Sequence, residues 1–147
     1  MPTSHLVDEF LRSYQQAFGS FDAARIAGHF AYPAHVTSDA QDVVLTSVAD
    51  AATWTKALER LLGTHRRAKV ASARVVERTV AELSPRVCHA TVAWSVHDAD
   101  GRELYRFHAT YTLVGHDGSL LVAALAHDEL PRLQACLSEG PADGGRA

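Results

Sequence analysis

The clearest candidates for chemistry in this chain are His89, His108 and His127, which follow one another at intervals of nineteen residues. Each falls on a different one of three successive predicted strands, so the three imidazoles lie on a diagonal of a predicted sheet. Diagonal neighbours are about 7–8 Å apart, and the outer two are separated by two strand spacings, roughly 10 Å. Zinc needs all its ligands within about 2.0–2.3 Å of one point. We therefore predict no metal site.

A general base is a more plausible role for these histidines than a metal ligand. His108 is the most central of the three and is flanked on its predicted face by Thr91 and Thr110. Imidazole titrates near neutral pH, and a half-buried pocket can tune its pKa, so His108 or His127 could move a proton on a bound substrate. The alternative is a sheet histidine that only hydrogen-bonds to threonine hydroxyls. The residue types are compatible with both interpretations.

Arg106 is the candidate for holding a charged ligand group. It is predicted to lie beside His127, where its guanidinium could bind a carboxylate or a phosphate, or it could pair with Glu103, Asp128 or Glu129. The sequence has no phosphate-binding glycine loop, nucleophile elbow or Rossmann fingerprint. We therefore predict no cofactor.

A sheet must position these side chains. Alternating apolar residues and glycine-containing turns predict strands at Val87–Asp98, Arg102–Val114 and Ser119–His127. Helical spacing and caps predict a helix that ends at Gly19, a second capped by Asp22 with a stripe that reaches Phe30, and a third between Ser47 and Gly63. A hairpin (His35–Thr46), a further strand (Lys69–Leu83) and a short C-terminal helix (Asp128–Leu137) complete the order.

This order predicts an α+β fold, in which N-terminal helices pack on a strongly curved, mostly antiparallel sheet that forms a cone with an internal pocket. We expect one cone-fold domain over residues 1–138. Residues 139–147 are rich in glycine and polar residues, so we expect a disordered tail.

Turn positions predict which side chains share a face of the sheet. Placing Ala99 and Asp100 at the centre of the first turn sets Trp94 opposite Tyr105, and the second turn sets His108 opposite Leu125. One face is then aromatic and apolar, and it must pack on the helices or on a second subunit. The other face is rich in histidine and threonine, which suits either a half-wet pocket or an exposed sheet.

Composition excludes several classes of partner. The chain has 147 residues, of which 47% are hydrophobic, enough for a real core. Its net charge is −3, with 14 basic and 17 acidic residues and no basic stripe, so we expect neither nucleic acid nor a membrane surface as a partner. The two cysteines form no disulfide framework, and no signal peptide or spanning segment is found. We therefore predict a cytoplasmic location.

Four short phrases and the element order resemble one superfamily. The phrases are SYQQAFGSFD (13–22), AGHFAYP (27–33), DADG (98–101) and FHATYTL (107–113). They are similar to those of the nuclear-transport-factor-2-like (NTF2-like) superfamily of cone-shaped domains, which includes SnoaL-like cyclases, scytalone dehydratase and ketosteroid isomerase. The resemblance covers the chain to about Asp128 and is specific for the fold rather than for an activity.

Ketosteroid isomerase suggests where site residues lie. Tyr14, eight residues before Asp22, matches its oxyanion-hole tyrosine, whereas Ser38 and Thr110 fall where its catalytic carboxyl groups would be. The resemblance therefore argues against steroid isomerisation, but it points Thr110 and His127 at the cavity. Because the turn register puts these two on one face, we predict that the histidine-bearing face looks inward. The aromatic face would then form a homodimer interface through Trp94, Tyr105, Phe107 and Tyr111.

Three functions remain open from the sequence. The first is a domain that binds a small hydrophobic molecule. The second is a cofactor-free isomerase, dehydratase or cyclase with catalytic His108, His127 and Tyr14. The third is a dimerising interaction module without a ligand. The residues predicted to line the pocket are Tyr32, Trp54, His89, Thr91, Arg106, Thr110, Ala123 and Leu125.

Overall fold

The computed structural model describes residues 3–139. Its elements are α1 (Thr3–Gly19), α2 (Ala23–Ala27), β1 (Phe30–Ala40), β2 (Asp42–Val48), α3 (Ala51–Arg67), β3 (Ser72–Ser84), β4 (Val87–His97), β5 (Glu103–His116), β6 (Ser119–His127) and α4 (Glu129–Glu139). The six strands form one curled, unclosed sheet in the order β2-β1-β6-β5-β4-β3. The β1–β6 pair is parallel and the other pairs are antiparallel. The predicted α+β cone fold is confirmed.

Two long helices cover one face of this sheet. Helix α1 buries an apolar stripe that includes Val7, Leu11 and Tyr14, and its outer side is fastened to edge strand β3. There Arg78 donates two hydrogen bonds to Asp8, at 2.8 and 2.9 Å. The bidentate arrangement fixes the angle of the helix as well as its position.

Helix α3 differs from the predicted helix at both ends. Its N-cap is Asp50, whose carboxylate accepts the backbone N–H of Thr53 at 2.8 Å, whereas Ser47 belongs to β2. The helix passes Gly63 and ends at Arg67, because one internal glycine costs only about 1 kcal/mol. Helix α2 is also shorter than predicted, and Phe30 begins β1.

The aromatic face of the sheet lies under the helices, so the predicted orientation is wrong. Trp94 is 3% exposed and Tyr111 2% exposed. His89, His108 and Thr110 lie on the opposite, solvent-facing side. The physical reason is the hydrophobic effect: the helices of the same chain remove the aromatic rings from water. The histidine-bearing face is polar and can remain in contact with water.

This orientation also removes the predicted dimer interface. Trp94, Tyr105, Phe107 and Tyr111 are each at most 9% exposed within the monomer. They therefore have little surface left to offer a second copy. The prediction of a homodimer through these four residues is wrong.

In the β4–β5 hairpin, the side chains lie on the predicted faces of the sheet, but the strands pair in a different register. Trp94 faces Phe107, and Val96 faces Tyr105, a slip of two residues from the prediction. Because side chains alternate with a period of two, this slip leaves every side chain on its predicted face. The first turn lies at Asp98–Gly101 as predicted, with positive φ at Gly101 (84°). The second turn is centred one residue later than predicted, on Asp117 and Gly118, because His116 pairs with Ser119; φ is positive at both central residues (49° and 79°).

Part of the predicted C-terminal organisation lies outside the described residues. Helix α4 confirms the predicted short helix and extends through Glu139. Residues 140–147 of the predicted disordered tail are outside the described range. None of the helices within residues 3–139 is long and apolar enough to cross a lipid bilayer.

The inward orientation predicts unequal effects of two truncations on β4. Trp94→Ala should lower the free energy of unfolding by about 3–5 kcal/mol, because it leaves a void under the helices. His89→Ala on the solvent-facing side should change it by less than about 0.5 kcal/mol. Urea unfolding followed by circular dichroism measures both. Equal effects of the two substitutions would contradict this orientation.

Candidate functional site

An internal cavity lies between α1, α3 and the aromatic face of the sheet. Its free volume is about 90 Å³, several times what one water needs. Most of its walls are apolar or aromatic side chains, among them Phe18, Trp54, Leu58, Trp94 and Phe107. The polarity of the cavity therefore suits a small, mainly apolar guest.

Four of the side chains predicted from the sequence line this cavity: Tyr14, Trp54, Leu125 and His127. Tyr14 belongs to the buried stripe of α1 and Trp54 to the first turn of α3. Leu125 and His127 come from the end of β6. These residues approach one another because both helices and the last strand meet over the inner face of the sheet.

A β-bulge explains why Leu125 and His127 point inward. Next to the β5–β6 turn, Leu113 pairs with Val122, but further along Tyr111 pairs with Leu125 and Ala109 with His127. One extra residue of β6 is therefore accommodated between Ala124 and Val122, at Ala123. The irregularity reverses the alternation of the strand. His127 thus shares the face of Tyr111, opposite to the predicted face.

The other predicted site residues do not line the cavity. His89, Thr91, Arg106, His108 and Thr110 are exposed on the outer face, and the prediction that they line the pocket is wrong. Ala123 occupies the bulge and is not among the lining residues, and neither is Tyr32.

The polar groups of these misplaced residues have other partners. The Tyr32 hydroxyl donates to the Ala27 carbonyl at 2.7 Å, and Arg106 donates to Glu103 at 2.9 Å. The Thr91 and Thr110 hydroxyls are 3.1 Å apart and bond to each other. The threonine pair and the Arg106–Glu103 pair therefore form a hydrogen-bonded outer surface, whereas Tyr32 packs against the core.

A buried polar cluster forms one end of the cavity, and its centre is Glu129 at the start of α4. Oε2 of Glu129 accepts hydrogen bonds from His65 Nε2 at 2.9 Å and from the Tyr105 hydroxyl at 2.8 Å. Glu129 is 8% exposed and His65 4% exposed. A carboxylate with this little contact with water needs such donors to remain charged.

The surroundings keep Glu129 ionised. Burial raises the pKa of Glu129. The hydrogen bond from His65, the positive charge of His65 when it is protonated, and the hydrogen bond from Tyr105 lower the pKa by more than burial raises it. The pKa of Glu129 therefore lies below its ordinary value. No described residue donates a hydrogen bond to the other oxygen, Oε1. The cavity therefore contains a negative charge with one acceptor atom available.

The contacts of His127 determine which of its nitrogens carries the proton. The backbone N–H of Glu129 donates to Nδ1 of His127 at 3.1 Å. Nδ1 must therefore be unprotonated, and Nε2 of the neutral ring donates to Ser38 Oγ at 3.1 Å. Burial lowers the pKa of His127, and the nearby carboxylates of Glu129 and Asp128 offset this only in part. His127 is thus a neutral hydrogen-bond donor.

Two further donors in the cavity walls lack partners among the described residues. The Trp54 indole nitrogen is buried without a hydrogen-bond partner, and no described group bonds to the Tyr14 hydroxyl. Burial raises the pKa of Tyr14 well above its ordinary value, so its hydroxyl keeps its proton. A ligand with an acceptor atom could satisfy either donor.

The sequence analysis missed His65 and Glu129 as site residues. Helical spacing offered a signal for His65, because it follows Leu58 and Leu62 at intervals of four and three residues and so lies on the buried stripe of α3. Glu129 had no comparable signal, since its direction depends on the β6 bulge. Within residues 3–139, no three His, Cys, Asp or Glu side chains converge to hold a metal ion.

Comparison with known proteins identifies the family. Residues 4–129 match a family described as NTF2-like protein (DUF6841), and the chain belongs to this family. No curated protein matches it. The predicted superfamily is confirmed.

Several solved structures share the fold at low identity. Aln2 from a Streptomyces species has a TM-score of 0.69 and 17% identity, covering 92% of this chain and 99% of that one. An NTF-2 like protein of unknown function from Shewanella oneidensis has a TM-score of 0.67 and 8% identity, covering 86% and 99%. Yeast UBP3-associated protein BRE5 has a TM-score of 0.65 and 10% identity, covering 86% and 95%. At these identities the likeness shows the fold alone.

The neutral state of His127 predicts a pH dependence of stability. Its pKa in the folded protein lies below the ordinary 6.5, so the unfolded chain binds a proton first as the pH falls. The contribution of neutral His127 to the free energy of unfolding is complete above about pH 6.5. It is lost as the pH falls through the lower pKa that His127 has in the folded protein. His127→Gln, which keeps one donor and one acceptor, should reduce this loss. Thermal unfolding between pH 7.5 and roughly 5 measures it.

His89→Gln is the matched control for this measurement. His89 is exposed on the outer face of β4. This substitution should leave the slope of stability against pH unchanged. If His127→Gln and wild type had the same slope, the assignment of a buried neutral imidazole would be wrong.

Proposed function

We propose that this NTF2-like domain binds a small, mainly apolar molecule in the cavity between α1, α3 and the sheet. The observation that carries the proposal is the pairing of apolar walls with an ionised, buried Glu129 that has one oxygen available. His65 and Tyr105 compensate the charge at Oε2, whereas Oε1 has no hydrogen-bond donor among the described residues. A carboxylate kept at the end of an apolar cavity therefore favours recognition of a ligand over a purely structural role.

The walls favour a flat ligand. Trp94 and Phe107 lie nearly parallel, with an interplanar angle of 19° and ring centroids 6.5 Å apart. Trp54 packs edge-on against Phe30 with centroids 5.4 Å apart and contributes its indole to the cavity wall. Rigid aromatic faces contact planar guests at little entropic cost.

The polar end specifies where ligand hydrogen bonds would form. A hydroxyl or N–H of the ligand would donate to Oε1 of Glu129, while a carbonyl would accept from the Trp54 indole or the Tyr14 hydroxyl. Leu125 and His127 would contact the remainder of the ligand. The proposed ligand is therefore an uncharged planar molecule with both a donor and an acceptor, and an anionic ligand would be repelled by Glu129.

Cofactor-free proton transfer is a second candidate. The Tyr14 hydroxyl and the available Glu129 oxygen line the same cavity, as an isomerase, dehydratase or cyclase would require of an acid and a base. His108 is on the outer face, and Nδ1 of His127 is occupied by a backbone N–H. The lowered pKa of Glu129 makes it a weak base. Binding is therefore the function that the geometry supports better.

The third function predicted from the sequence, a dimerising interaction module, is not supported by the fold. The interaction module without a ligand loses the surface assigned to it, because that surface is the core of the monomer. A cytoplasmic location stays a prediction from the sequence.

Filling the cavity should abolish binding of an apolar probe. Ala73 on β3 lines the cavity, and Ala73→Trp would place an indole inside it. We expect the affinity for the neutral probe benzene, measured by isothermal titration calorimetry, to fall by more than about tenfold. Ala81→Trp is the control, because Ala81 lies on the same strand, is exposed and does not line the cavity. Equal affinities of the two variants would refute the proposed location.

Glu129→Gln separates binding of a donor-bearing ligand from simple apolar sequestration. The amide keeps the shape but loses the charge and one acceptor, so molecules retained by the wild-type protein in native mass spectrometry should be lost from the variant. Binding of benzene, which has no hydrogen-bond donor, should change little, because its contacts with the apolar walls remain. Retention of the same molecules at equal occupancy would show that Glu129 does not recognise the ligand.

A further inference from the structure

A serine and a histidine meet on the opposite side of α1, away from the cavity. Ser13 Oγ and His29 Nε2 are 2.8 Å apart. Ser13 is exposed on α1, and His29 lies between α2 and β1. This is the distance at which a histidine can take the proton of a serine hydroxyl.

A third group orients the imidazole. Nδ1 of His29 is 2.9 Å from the Arg25 carbonyl oxygen. A carbonyl only accepts, so Nδ1 carries a proton, and Nε2 of the neutral ring presents its lone pair to the Ser13 hydroxyl. Ser13 is therefore the donor and His29 the acceptor. The Ser13 hydroxyl, the His29 imidazole and the Arg25 carbonyl are therefore connected in space as the nucleophile, the base and the orienting acceptor of a hydrolytic triad are.

The surrounding structure holds the ring in place. Phe10 and Tyr14 pack against it in edge arrangements, with centroids 5.8 and 5.7 Å away. The His29 backbone is tied by hydrogen bonds at both its groups: its N–H donates to the Ile26 carbonyl at 3.0 Å, and its carbonyl accepts from Val122 at 2.9 Å. The base is therefore fixed with respect to the serine, as proton transfer requires.

A surface depression of about 380 Å³ adjoins the pair. Its lining is mixed: Leu6, Phe10, Leu120 and Leu121 are apolar, whereas Glu9 and Ser119 are polar. The apolar side chains could contact short alkyl or aryl groups, and the Glu9 carboxylate disfavours anionic substrates.

We propose that Ser13 and His29 form a second site, which hydrolyses small uncharged carboxylic esters. Ser13 Oγ attacks the ester carbonyl carbon while its proton moves to His29 Nε2. The carbon–oxygen bond to the alcohol breaks, and His29 returns the proton to the leaving oxygen. Water then attacks the acyl-serine with His29 as base, which releases the carboxylic acid and restores the Ser13 hydroxyl.

Labelling with an alkyl fluorophosphonate tests the nucleophile. Ser13 Oγ would displace fluoride from phosphorus, and tandem mass spectrometry would locate the adduct. Ser20 is the internal control, because it is exposed near the end of the same helix and its hydroxyl donates to the Ala17 carbonyl rather than to a histidine. We expect Ser13 to react at least about tenfold faster than Ser20. Equal rates in the wild-type protein would overturn the proposal, whatever the variants do.

His29→Gln tests the base. Glutamine can still hydrogen-bond to Ser13, so a merely structural contact would survive, but its amide cannot take a proton. We expect labelling of Ser13 to slow by about a hundredfold, with the thermal unfolding midpoint measured in parallel. An unchanged labelling rate in the folded variant would refute the assignment of His29 as the base.

Turnover of p-nitrophenyl butyrate tests the complete reaction. Steady release of nitrophenolate should be lost in Ser13→Ala and retained in Ser20→Ala. It should also be retained in Ala81→Trp, because Ala81 is exposed on β3 and does not line this depression. Release of one equivalent without further turnover would show acylation alone and would overturn the hydrolytic function.

Discussion

The structure depends on one constraint, which is that the aromatic side of β4 and β5 must be kept from water. Each ring on this face removes about 150–250 Å² of surface, roughly 4–6 kcal/mol of hydrophobic stabilisation. Helices α1 and α3 provide the cover, each with an apolar stripe turned to the sheet. Because a curled sheet and straight helices cannot touch everywhere, a space remains between them. The cavity is therefore a consequence of how the core closes.

The bulge in β6 makes this space chemically useful. Without it, strict alternation would leave His127 on the solvent side and would turn the start of α4 away from the cavity. With it, His127 faces inward, accepts the backbone N–H of Glu129 and so helps place that residue. The Glu129 carboxylate then meets His65 of α3 and Tyr105 of β5. The bulge in β6 thus allows the Glu129 carboxylate to link α4, α3 and β5.

Much of the fold could be predicted because its signals are local. Alternation with a period of two marks β4 and β5, and Gly101 and Gly118 supply the positive φ that their turns need. The alternation of side chains along β4 and β5 also grouped them correctly, since a register slip of two residues leaves each side chain on the same face. Alternation cannot say which of the two faces looks inward. Aromatic content was the sounder guide to that choice, whereas the alignment of Thr110 with a catalytic position of a relative led away from it.

The site was harder to predict than the fold because it depends on features without periodicity. Residues 120–126 of β6 are all apolar, so one extra residue leaves no break in the pattern and the bulge is invisible. Leu125 and His127 were placed in the pocket through a register that the structure does not have. Their position inside it follows from the bulge alone. The direction of Glu129 follows from the same irregularity, so no pattern in the sequence indicates it.

His127 and His29 show how the fold assigns opposite roles to one side chain. A backbone N–H donates to Nδ1 of His127, which leaves Nε2–H as a donor. A backbone carbonyl accepts from Nδ1 of His29, which leaves Nε2 as a lone pair. Neither outcome depends on the residue that meets Nε2, serine in both cases. The backbone group at Nδ1 therefore decides whether each of these two serine–histidine contacts is structural or can move a proton, and of the two, the pair at α1 has the polarity of a nucleophile and its base.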